Sequence, residues 1–154
     1  MRIAVNNFIA LDGFGATCYH YAHKYSLILH VACMERSPMI RKAAQMETEV
    51  RSQIRGGIGS VTVQHFFKKE EITARTRMCS RLTLPPGVSI GMHKHENEDE
   101  LFIITHGTGL IDDGKTKVPV QAGDATLTGK GEGHAVINNG QEPLEMIAII
   151  MLYS

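Results

Sequence analysis

The chain has 154 residues, enough for one domain and too few for two ordinary ones. Lys plus Arg (16) equals Asp plus Glu (16), so the formal net charge is zero. That balance argues against nucleic acid or an anionic membrane surface as a partner. No apolar run reaches the length of a membrane span, and the lack of tryptophan with frequent glycine suits many short strands and turns.

Residues 1–38 show no helix or strand period and are expected to be a leader or extension. Their cluster Cys18, Tyr19, His20, Tyr21 and His23 fits no zinc spacing. The three cysteines, Cys18, Cys33 and Cys79, have no paired spacing. They read as reduced thiols, and the expected compartment is the cytoplasm. Residues 39–59 are expected to form an N-terminal arm. Residues 40–54 suit either a short helix or an extended segment, which periodicity alone does not separate.

From residue 60 the pattern is β. Residues 61–67 are β-branched and partly alternating, and residues 78–84 alternate before the turn Pro85-Pro86-Gly87. Further strands are predicted at 88–95, 100–106, 117–121, 125–128, 134–138 and 144–153. Turn-forming residues separate them, among them Asp112-Asp113-Gly114 and Ala122-Gly123-Asp124. Short strands at close spacing, with no helices between them, indicate an all-β sandwich or barrel over residues 60–154. Residues 144–152 are apolar at nearly every position, which predicts a strand covered on both faces. A second subunit or the arm would supply the cover, so a homodimer is expected.

In Gly91-Met92-His93-Lys94-His95 the two histidines share one face of a strand, because side chains at i and i+2 point the same way. Glu100 follows across the acidic turn Glu96-Asn97-Glu98-Asp99, and its carboxylate comes back toward them if it opens the neighbouring antiparallel strand. His134 opens another strand after the glycine-rich loop 129–133. Three imidazoles and a carboxylate form a borderline-hard donor set. It suits Mn(II), Fe(II), Co(II), Ni(II) or Zn(II) rather than Cu(I).

The spacing of these residues resembles the cupin family. Gly87, His93, His95, Glu100 and Gly107 match its first motif, G-x5-H-x-H-x3,4-E-x6-G, at every fixed position. Gly123, Gly131, His134 and Asn138 match the second, G-x5-P-x-G-x2-H-x3-N, with Gly129 where proline is usual. The resemblance covers about residues 55–154. It implies a double-stranded β-helix, or jelly-roll, barrel holding one divalent transition metal on His93, His95, Glu100 and His134, with manganese the first expectation. It also implies a small-molecule ligand such as a carboxylate or sugar.

Fold does not select the reaction. An enzyme of the decarboxylase, isomerase or dioxygenase type and a non-enzymatic binding module both fit, and no catalytic acid or base is assigned. The discriminating feature is whether the barrel mouth holds a polar acid or base: a purely apolar lining favours binding, or dioxygenase chemistry on an apolar substrate, and a polar one with an arginine or lysine favours a carboxylate or sugar substrate. Arg75, Arg77 and Arg81 read as solvated by default, as do Glu96, Glu98 and Asp99. His106 is expected at the far end of its strand and His65 as a hydrogen-bonded core residue.

Overall fold

The computed structural model describes residues 40–154. The leader and the Cys18–His23 cluster lie outside the described residues. Among those described, no helix is long and apolar enough to cross a membrane.

Ten strands form two antiparallel sheets: β1 (Glu47–Ser52), β2 (Ser60–His65), β3 (Thr76–Leu84), β4 (Ser89–Lys94), β5 (Glu98–His106), β6 (Thr108–Asp112), β7 (Lys117–Gln121), β8 (Ala125–Thr128), β9 (Gly133–Ile137) and β10 (Leu144–Leu152). One sheet has six strands in the order β1-β2-β3-β10-β5-β8, and the other has four in the order β4-β9-β6-β7. This is the all-β, double-stranded β-helix architecture expected from the strand spacing and the two motifs. Residues 40–54 resolve as a 3-10 turn, Ala43–Gln45, followed by the edge strand β1. The arm is therefore extended, and it pairs with β2 in register from Glu47 opposite His65 to Ser52 opposite Ser60.

Two sequence expectations change. Strand β6 was not anticipated, because the single residue Gly107 separates it from β5 and its own Gly109 weakens the strand pattern. Strand β10 is not covered on both faces among the described residues. Leu144, Met146, Ala148 and Ile150 are buried inside, while Ile147 and Ile149 are only half-buried and Met151 and Leu152 are exposed. Their outward neighbours are also apolar, since Ile147 stands opposite Ile103 and Ile149 opposite Leu101, with Leu127 beyond on β8. Their composition hid the ordinary alternation of the strand.

Inward side chains from the two sheets meet in one core. Val61, Val63, Leu82, Leu84, Phe102, Ile104 and Met146 come from the larger sheet, and Ile90, Ile111, Val120 and Val136 from the smaller. Burying such side chains contributes roughly 1.5–3 kcal/mol each. His65 is a hydrogen-bonded residue at the edge of this packing, bonded to Ser80 at 2.9 Å and to Glu49 at 2.8 Å.

Asn138 closes one end of the barrel. It is fully buried, and its Nδ2 donates to the carbonyls of Leu84 (2.8 Å) and Glu142 (2.9 Å), while its Oδ1 accepts from Gly140 N–H (2.9 Å). Its backbone pairs with Val88 and Gly87. The last residue of the second motif thus fastens the end of β3 to the start of the first motif. Asn138→Ala is expected to destabilise the fold by about 2–4 kcal/mol, because it leaves buried partners without hydrogen bonds. Urea denaturation with an unchanged slope would measure it.

Candidate metal centre

The four residues singled out by spacing converge inside the barrel. His93 on β4 lies directly opposite His134 on β9, the two sharing a register position. His95 follows the end of β4, and its backbone is fixed by bonds to Glu132 O (3.0 Å) and from Gly131 N–H (2.9 Å). Glu100 comes from β5, which lies in the other sheet and does not pair with β4. The carboxylate therefore meets the imidazoles across the barrel interior, and not along a neighbouring strand as the sequence suggested. Met92 and Lys94 point outward and are exposed, as alternation requires.

His95, Glu100 and His134 are buried, and His93 is half-buried. One ligating atom from each of the four lies within 4.8 Å of the others. His95 Nε2 and His134 Nε2 each stand 2.9 Å from Glu100 Oε2, His93 Nε2 stands 3.8 Å from it, and His93 and His95 Nε2 are 3.1 Å apart. Metal bonds to nitrogen or carboxylate oxygen of about 2.0–2.2 Å place adjacent ligand atoms about 3 Å apart. The observed spacings fit that requirement.

Each imidazole is also held from behind. His93 Nδ1 donates to the Gly91 carbonyl (2.9 Å), and His95 Nδ1 donates to Glu98 Oε1 (2.9 Å). His134 Nδ1 lies 2.8 Å from the Thr128 hydroxyl, which accepts when that nitrogen carries the proton. In the neutral rings this leaves the Nε2 lone pairs of His93 and His95 facing inward, and that of His134 in the same tautomer. Phe102 stacks on the His134 ring at 5.0 Å between centroids, which fixes its plane. Glu100 Oε2 and His134 Nε2 are buried without a hydrogen-bond partner. Orphaned acceptors converging in a buried space are costly alone and are satisfied by a cation. The donor set fits a metal ion.

Burial is the largest influence on the Glu100 carboxyl and pushes its pKa up. With protons on the inward nitrogens and no metal between them, hydrogen bonds from His134 and His93 together outweigh it and hold the group at about 2. Glu100 is thus an anion throughout the neutral range, as a ligand must be.

Sequence reasoning missed the residues behind the ligands. Glu98 and Asp99, read as solvated turn residues, belong to β5. Arg77 grips Glu98 through Nη2 (2.6 Å) and Nε (2.8 Å), and Glu98 in turn accepts from His95. The Arg77 hydrogen bonds are the main cause of a Glu98 pKa below the usual carboxylate range. Glu98 is three residues from His95, and that spacing was the available signal. Thr128 gave none. His106 ends β5, exposed and away from the site.

Asp99 explains the departure from the second motif. Tyr153 donates to Asp99 Oδ1 at 2.6 Å and accepts from Lys130 N–H at 2.9 Å, pinning the loop before His134. A methyl group on Gly129 would fall 1.8 Å from that Asp99 oxygen and 2.9 Å from the tyrosine oxygen. Proline carries the same Cβ, so the space it needs is already taken. The loop is stiffened by a hydrogen-bonded tyrosine instead.

The cavity that ends on His93, His95 and Glu100 has a volume of about 90 Å³. Its remaining wall combines the apolar side chains Ile54, Phe102 and Ile150 with three arginines, Arg51, Arg55 and Arg77. Sites for drug-sized molecules run to roughly 300–1,000 Å³, so this one suits a ligand of few atoms.

Comparison with known proteins bears on the family and the fold. The Cupin domain family matches residues 80–150. The oxalate-binding protein of Thermotoga maritima is 39% identical over 118 residues, covering 77% of this chain and 98% of that protein. The crystal structure of a predicted oxalate decarboxylase from Thermotoga maritima superposes with a TM-score of 0.71 at 39% identity, covering 74% of this chain and 99% of the other. A polyketide cyclase from Streptomyces resistomycificus has a TM-score of 0.62 at 16% identity, covering 73% and 79%, and shares the fold.

Gly129→Ala is expected to lower stability by about 1–2 kcal/mol by displacing the Tyr153–Asp99 hydrogen bond. Tyr153→Phe should cost a similar amount, and the double variant less than the sum. Chemical denaturation of the three variants measures the coupling.

Proposed function

The chain belongs to the cupin family, and on that premise we propose that it binds a small carboxylate through one divalent transition metal. His93, His95, Glu100 and His134 would hold the ion, with manganese first and iron, nickel, cobalt or zinc as the other candidates. When bound, the metal supplies a Lewis acid that accepts carboxylate oxygens. The observation that carries the reading is the wall of the cavity: three arginines among otherwise apolar side chains, ending on His93, His95 and Glu100. Guanidinium groups match carboxylates in charge and planar geometry. A relative named for oxalate binding supports the same class.

The work of the chain's own residues follows from their placement. The outward Nδ1 bonds to Gly91, Glu98 and Thr128 keep the three rings oriented. Phe102, Ile54 and Ile150 limit the ligand's size and keep water from surrounding it. Arg51 and Arg77 are paired with Glu49 and Glu98, so Arg55 sets its charge.

Binding without turnover is favoured over proton-moving decarboxylase or isomerase chemistry by a feature of the same wall. Apart from the four ligating residues, no carboxyl or imidazole among the described residues lines the cavity. A reaction that moves a proton needs such a group within hydrogen-bond reach.

The apolar outer face of the larger sheet, with Leu101, Ile103, Leu127, Ile147 and Ile149 in register across three strands, supports a homodimer as the working form. The unpaired Cys79 supports a cytoplasmic setting.

Calorimetry of the metal-loaded chain with oxalate tests the reading. Binding is expected with metal and not after chelation. His93→Ala and Glu100→Ala should each reduce bound metal to under about a tenth of wild type, since loss of even an outer partner costs 10–100-fold. Full metal content in both variants would sink the assignment.

A further inference from the structure

The three arginines of the cavity wall are not equivalent. Arg51 is committed to Glu49, with its Nε 3.0 Å from the carboxylate, and Arg77 is committed to Glu98 through two nitrogens. Arg55 has no hydrogen bond or ion pair from its guanidinium to any described residue. It is the free cation of the wall among the described residues.

The backbone that presents it is strained. Arg55 lies in the 3-10 turn Ile54–Gly56 at φ 55°, ψ 30°, and the preceding Gln53 has φ 49°, ψ 43°. Side chains with a Cβ seldom adopt this left-handed conformation, and it persists where the surroundings enforce it. Here they do. A methyl group on Gly91 would fall 2.1 Å from the Arg55 carbonyl, and one on Gly57 2.1 Å from the Ser89 carbonyl, so two glycines let the turn lie directly against β4. Ser89 N–H donates to the Ile58 carbonyl and Ile58 N–H to the Ser89 hydroxyl, both at 2.9 Å. The turn is thereby fastened to the strand that carries His93, two residues beyond Gly91. An uncommitted guanidinium, on a strained turn riveted to a ligand-bearing strand, lines the same cavity as His93, His95 and Glu100 and is placed to receive an anion there.

We propose that Arg55 binds the charged end of the ligand that the metal does not take up. The site would then select short dianions, such as dicarboxylates, over monocarboxylates of the same size. This rests on the reading that a carboxylate binds at the metal. A committed guanidinium has already spent its geometry on a protein carboxylate, and Arg55 has not. Its charge-assisted bonds go to the ligand.

The test is calorimetry on the metal-loaded full chain and its R55Q and R55G variants, with oxalate as the dianion and glycolate as a monoanion of like size. Metal content and melting temperature are measured on each preparation. R55Q and R55G are expected to weaken oxalate binding by about tenfold to a hundredfold and to change glycolate binding by less than about twofold. Metal content stays equal to wild type. Glycine suits the left-handed turn, so R55G should melt no lower than wild type, which separates loss of binding from loss of fold. Unchanged oxalate affinity in both variants, with wild type binding normally, would overturn the role of Arg55 alone. Equal weakening for oxalate and glycolate would overturn the selection of dianions. Failure of metal-loaded wild type to bind either carboxylate would remove the carboxylate reading, and this inference with it.

Discussion

Four electron-pair donors face one another in a buried space between two sheets, and the rest of the molecule is arranged to keep them there. Neutral imidazoles with Nδ1 bonded outward have no proton on the inward nitrogen. His93 and His95 nonetheless present those nitrogens 3.1 Å apart, and Glu100 stands 2.9 Å from the nitrogens of His95 and His134. Such an arrangement is unfavourable in a low-dielectric interior unless a cation or extra protons occupy it. The antiparallel register of β4 and β9 sets His93 opposite His134, and the packing of the two sheets brings Glu100 across to them. Glu98, gripped by Arg77, ties the orientation of His95 to a residue of the cavity wall. The ligating set and the wall are thus mechanically one structure.

The barrel's ends serve the same purpose by different means. At one end Asn138 joins its own loop, through Gly140 and Glu142, to the end of β3 at Leu84. At the other, Tyr153 and Asp99 hold the loop that delivers His134. The second device replaces a proline with a hydrogen bond between residues distant in sequence. Rigidity near a metal histidine can come from ring closure or from cross-linking by a side chain, and the space left by glycine is what the second route needs.

Much of this was legible in the sequence, for identifiable reasons. Strand alternation put His93 and His95 together and turned Met92 and Lys94 away, because a period of two admits no other arrangement. Motif spacing found all four converging residues. Pairing was not legible: nothing local says that β4 joins β9 rather than β5, so the route by which Glu100 reaches the histidines was misread. Strand β10 was misjudged because Ile147 and Ile149 are apolar whichever way they face. Glu98 and Arg77 read as surface charges; Arg77 is indeed exposed, and nothing local shows that Glu98 is partly enclosed between it and His95. Arg55 was beyond reach of pattern reasoning, as a positive φ at an arginine has no sequence signature.

Anomalous X-ray scattering from crystals of the full chain, grown without added metal or chelator, tests the metal assignment where it stands. Data on either side of the manganese, iron, cobalt, nickel and zinc edges would both locate and identify an ion. The site described here predicts one peak per chain, within about 2.0–2.3 Å of His93, His95 and His134 Nε2 and a Glu100 oxygen. A map without a peak there, even after soaking in manganese, or a peak held by other residues, would contradict it.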